Sequence, residues 1–212
     1  MSTATSDAAL RLADQCRRVT LREQYDRLAE VAVDLHLVAN DGSGERYHDG
    51  RTDRDRARQG YRAELAVAQH YGLRAEVDYR PPGVGDPGRD FWARYDEHGS
   101  DDPITIDVKA TTTSPPKLYL TQKRAWHDRY TLPDYYLLAS GALTDDDTVH
   151  LIGWASCERV REGRETEVYG NPVWVVDGTD LAPPPTRDAL RDIDEATRLR
   201  NDADRLERNT ES

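Results

Sequence analysis

Ile104-Thr105-Ile106-Asp107-Val108-Lys109 is an apolar, β-branched run interrupted by one acid and closed by one of only three lysines in a chain of 212 residues. Such composition favours a pleated, half-buried strand. Residues two apart on a strand share a face, so the Asp107 carboxylate and the Lys109 ammonium project together. An isolated Asp-x-Lys means little where 40 of 212 residues are acidic. Its placement at the end of a core-like strand gives it weight. A same-face ion pair at the mouth of a sheet is the bland alternative, but buried ion pairs rarely add net stability, so it explains tolerance of the pair and not its purpose.

Working outward, Arg89 to Tyr95 and Ile104 to Ala110 are strand-like, and the Asp96 to Pro103 connector has turn composition. The pair reads as a hairpin that sets Asp90 across from Asp107. Two neighbouring carboxylates repel each other and raise each other's pKa unless a cation lies between them. Oxygen donors of this kind suit Mg²⁺ or Mn²⁺ and not zinc. Such an ion lowers the pKa of a bound water and stabilises charge on a phosphate. Lys109 beside it would orient or help deprotonate that water and stabilise the transition state. Upstream, Arg56 to Tyr71 has helical spacing with Gly72 as a stop, and it carries Glu64 as a third carboxylate. Pro81 to Gly88 cannot form regular structure, and Asp86 within it rivals Asp90 for the first acidic position.

The remaining pattern extends this core. Asp7 to Ala39 predicts one long helix or a helical pair, and Asn40 to about Asp53 a solvated connector. Arg74 to Tyr79 alternates like a strand, and Leu118 to Leu120 suggests another, followed by a helix over Gln122 to Arg129 with Trp126 inward. Tyr135 to Ala139 and Val149 to Trp154 read as strands joined by an acidic turn, and Val173 to Val176 as a last strand. Pro183-Pro184-Pro185 breaks the chain before an amphipathic helix from about Thr186 to Arg208. Gln122 and Lys123 would contact a phosphate backbone, or else begin a helix with a solvated first turn; the sequence leaves the two even.

Glu64, Asp90 and Asp107-Val108-Lys109 together resemble the signature of the PD-(D/E)xK, restriction-endonuclease-like nuclease superfamily. Tyr61-Arg62-Ala63-Glu64-Leu65-Ala66 resembles its carboxylate-bearing helix, and Leu120-Thr121-Gln122 with Trp126 resembles the segment after its lysine strand. The similarity covers roughly Tyr61 to Trp154 and looks like the Mrr-like and Holliday-junction-resolvase-like branches. It departs at Arg89, where the superfamily's name has proline.

The resemblance implies an α/β fold with a mixed central sheet of about four strands flanked by helices and extra helices at both termini. The expected division is a helical extension over 1–55, a nuclease core over 56–182 and a C-terminal helix over 183–212. It implies metal held by Asp90, Asp107, Glu64 and the Val108 carbonyl, water activated by Lys109, and a Mg²⁺-dependent deoxyribonuclease that Mn²⁺ would also serve. DNA is the expected partner with RNA as an alternative, and cutting both strands of a duplex would favour a two-fold homodimer. A silent nucleic-acid-binding module of the same fold and a structural assembly protein are the competing readings; neither needs clustered carboxylates.

Composition bounds these readings. The formal net charge is −11, and lysine supplies 3 of 29 basic residues. That resembles halophilic proteins, which suggests a haloarchaeal or haloarchaeal-virus type; a GC-rich coding bias is the other explanation for arginine over lysine. In molar salt the Debye length shrinks to about 3 Å, so net acidity opposes DNA binding less than usual. The two cysteines, Cys16 and Cys157, lie in no metal or disulfide framework, and the six histidines show no ligand spacing. The N-terminus lacks a basic segment followed by an apolar one, and no run approaches a membrane span. A cytoplasmic protein without membrane attachment is expected.

Overall fold

The computed structural model describes residues 12, 14–39, 51–75, 89–96, 102–122, 132–140, 148–194 and 196–201. Strand β1 (Arg17–Thr20) leads to helix α1 (Glu23–Ala39) and helix α2 (Asp53–Tyr71). Strands β2 (Phe91–Tyr95), β3 (Ile104–Thr111), β4 (Lys117–Thr121), β5 (Tyr135–Ser140) and β6 (Thr148–Ser156) follow. Short helix α3 (Cys157–Arg161), strands β7 (Arg164–Val168), β8 (Asn171–Asp177) and β9 (Leu190–Asp192), and a helical turn over 196–201 complete the described chain.

The strands form a six-stranded mixed sheet in the order β1-β6-β5-β3-β2-β9 and a three-stranded sheet in the order β4-β8-β7. Within the larger sheet only β3 and β5 run parallel, with Ile106 beside Tyr135 and Lys109 beside Leu138. Alternation sorts the two faces. Ile104, Ile106, Val108, Leu137 and Ala139 pack with Ala63, Leu65, Ala66 and Val67 of α2 in one core. Tyr136, Leu138 and Ile152 join Leu118, Leu120, Trp174 and Val176 of the smaller sheet in a second. Helices therefore cover one face of the six-stranded sheet and a second sheet covers the other.

Helix α2 has the termini its sequence encodes. Thr52 is the N-cap of a capping box: its hydroxyl accepts from the Asp55 amide at 3.2 Å, and Asp55 accepts from the Thr52 amide at 2.9 Å. Gly72 ends the helix at φ 72°, the left-handed region that glycine enters without a Cβ clash.

The structure changes several expectations. The single N-terminal helix or helical pair is interrupted by β1, where Val19 alone turns inward and pairs with Val149. Charged Arg17 and Arg18 suit it to a sheet edge. The segment expected as a helix from Thr186 begins instead as β9, because Leu190 pairs with Tyr95 and extends the sheet beyond β2; the helical turn starts at 196, after Asp194 caps the Thr197 amide at 2.9 Å. The central sheet has six strands where about four were expected, and β7 was not foreseen. It alternates polar residues at an exposed edge, and its hairpin with β8 closes through Tyr169 and Gly170 at φ 49° and 75°, a two-residue turn of the primed type. Arg74 and Ala75 open the segment expected as a strand over 74–79 and have no regular structure, while 76–79 lie outside the described residues, as do Trp126 and the rest of the expected 122–129 helix after Gln122. Among the described residues no helix is long and apolar enough to cross a membrane.

Candidate active site

The β2–β3 hairpin pairs Phe91 with Ile106, so one step back along β2 Asp90 stands opposite Asp107. The Asp90 amide donates to the Ile106 carbonyl at 2.8 Å, continuing the ladder by one rung. Its carboxylate Oδ2 then accepts from the Val108 amide at 2.6 Å, a side chain standing where the next backbone partner would be. The N–H and C=O of one strand residue point to the same side, so the Val108 carbonyl is directed to this same edge beside Asp90.

Asp107 is buried, at 2% exposure, and its Oδ2 forms an ion pair with Lys109 Nζ, whose side chain stays partly open at 27% exposure. The sequence-based expectation that carboxylate and amine share a face holds. Glu64 is half-buried on α2, which packs against β3. Burial pushes the Asp90 carboxyl well above the usual carboxylate range. The negative charges of Glu64 and Asp107 push it further in the same direction, against the opposing pull of Lys109 and the Val108 amide. Glu64 of the helix and Asp107 and Lys109 of β3 thus all act on the Asp90 carboxyl.

The donor set is all oxygen: the carboxylates of Asp90, Asp107 and Glu64 and the Val108 carbonyl. A hard divalent cation would favour the charged form that burial, and then Glu64 and Asp107, disfavour at Asp90, so these residues fit Mg²⁺ or Mn²⁺ in donor type. Among the described residues no group of three or more His, Cys, Asp or Glu side chains is drawn together closely enough to hold a metal ion. Gln122 is buried at 5% exposure at the end of β4, and Lys123 and Asp86 lie outside the described residues.

One structural element escaped the sequence reading. Asp134 Oδ2 accepts from both the amide and the hydroxyl of Thr105 at 2.7 Å, and the Asp134 amide donates back to the Thr105 hydroxyl at 3.0 Å. Thr105 is fully buried and lies on the same face of β3 as Asp107 and Lys109. This clasp locks the start of β3 to the start of β5. A lone Asp after Leu132-Pro133 carries no local signal of a partner 29 residues upstream. Comparison with family models, curated proteins and solved structures yields no match to this chain.

Proposed function

We propose that the protein is a metal-dependent nuclease with a restriction-endonuclease-like core, hydrolysing phosphodiester bonds of DNA. The observation that carries this reading is the hairpin register that sets Asp90 opposite Asp107 with Lys109 beside them. The order of elements supports it as well: a carboxylate-bearing helix, a hairpin holding the acids and the lysine, then a strand parallel to β3.

Asp90, Asp107 and the Val108 carbonyl, assisted by Glu64, would hold the ion. When bound, Mg²⁺ would supply Lewis-acid activation of water and charge neutralisation at the phosphate. Lys109, fixed by its ion pair with Asp107, orients the attacking water and offsets the negative charge that grows on the phosphoryl oxygens. Water's oxygen forms the new bond to phosphorus as the bond to the leaving sugar oxygen breaks.

The silent binding module of the same fold is the second reading. It is favoured by the engagement of Asp107 with Lys109 and of Asp90 with the Val108 amide, contacts that close the site on itself. Cleavage of supercoiled, linear, single-stranded and four-way-junction DNA in high KCl with Mg²⁺ or Mn²⁺ separates the two. Wild type should cut, and Lys109→Ala should lose on the order of 10² or more in rate. Asp107→Ala should lose metal binding as well. Undiminished cutting by folded Lys109→Ala protein overturns the site, and a folded, inactive wild type leaves the silent module.

A further inference from the structure

From Val108 to His127 the sequence contains no Asp or Glu, the longest such interval in a chain with 40 acidic residues, and all three lysines, Lys109, Lys117 and Lys123, fall inside it. Elsewhere this chain uses arginine for its positive charge and places acids throughout. The described part of the interval begins at the candidate site: β3 carries Lys109 and ends at Thr111, a loop follows, and β4 starts at Lys117.

That loop is exposed and braced from within. Thr112, Thr113 and Ser114 are exposed. Thr111, buried beneath them at 6% exposure, shares a hydroxyl–hydroxyl bond of 2.9 Å with Thr113 and accepts from the Thr113 amide at 3.2 Å. At its far end the Pro116 carbonyl accepts from the Gly178 amide at 2.9 Å. A Cβ on Gly178, the residue after β8, would lie 3.0 Å from that carbonyl, so glycine eases the close approach of the chain to the loop there. Lys117 Nζ faces Asp177 at 3.5 Å, and its side chain remains 27% exposed.

We propose that Thr112, Thr113, Ser114 and Lys117 form a sequence-independent track for the phosphodiester backbone of the nucleic-acid strand cut at Lys109; this rests on the nuclease reading of the site. Hydroxyls and lysine are phosphate ligands that position a strand without reading its bases. A loop and strand that carry no acid of their own, with Asp177 as the neighbouring acid, let a polyanion approach an otherwise acidic molecule. Asp177 tempers the grip of Lys117 on it.

Binding of fluorescent single-stranded and duplex oligonucleotides, measured with Ca²⁺ across about 0.3 to 2 M KCl, tests the track. Each lost phosphate contact lowers the slope of log affinity against log salt by about 0.9 on duplex DNA and weakens binding about threefold at 0.3 M. Lys117→Gln should show both changes, and replacing Thr112, Thr113 and Ser114 by alanine should weaken binding as well. Asp177→Asn should tighten binding, a gain that misfolding does not produce. Arg18→Gln, the same charge change on exposed β1, should do neither. If wild type binds and cuts while the Lys117 and Asp177 variants bind as it does, the track is wrong and the nuclease reading stands. A folded wild type that neither binds nor cuts nucleic acid overturns both.

Discussion

Asp90 is a buried carboxyl for which the charged form is disfavoured, and the consequence is measurable. Its folded pKa is raised, chiefly by burial and then by Glu64 and Asp107. The native state therefore holds a proton that the unfolded state has released, and stability falls as pH rises from the ordinary aspartate value, about 3.9, through the raised one. Asp90→Asn keeps an acceptor for the Val108 amide and removes the titration. Thermal melts of the metal-free protein between about pH 4.5 and 8 should show this decline for wild type and a flatter profile, with higher stability at neutral pH, for Asp90→Asn. Parallel profiles would mean that Asp90 is ionised without strain. The shared face of Asp107 and Lys109 was legible because a lysine is rare here and its Asp-x-Lys closes a strand. That Glu64 acts on Asp90 was legible only by resemblance, since a helix residue 26 positions earlier has no local reason to face that strand.

At the scale of elements, the hairpin β2–β3, the helix α2 and the β5–β6 pair follow from period-two alternation, a capping box and a terminal glycine. Strands β1, β7 and β9 did not follow, because edge strands of three to five residues with one or two inward side chains produce no usable period. Their pairing partners supply what their own sequences lack. The Asp134–Thr105 clasp is of the same kind and governs how firmly β3 is seated. Asp134→Ala leaves the buried Thr105 amide and hydroxyl without their acceptor, which should destabilise the fold by roughly 1–3 kcal/mol in a urea melt. A change below about 0.5 kcal/mol would show that water replaces the carboxylate at little cost.

Across the whole molecule, the net charge of −11 makes the acidic surface repel itself at low ionic strength. Screening should relieve this, so Tm should rise by several degrees between about 0.2 and 2 M KCl; a flat or falling Tm would mean that the surface charges are already balanced locally. Ion pairs such as Arg54 with Glu30 and Asp34, which tie α2 to α1, are exposed enough to contribute little beside this global term. By itself the sequence determined an α/β chain and a hairpin carrying paired acids and a lysine, because strand alternation, turn composition and side-chain type are local properties. Only the tertiary structure decided that β3 runs parallel to β5, that chain ends expected as helices add edge strands to the same sheet, that a second sheet covers its far face, and that α2 brings Glu64 to bear on Asp90. Those are choices among partners distant along the chain, settled by which apolar faces can be buried together and which backbone edges need a neighbour.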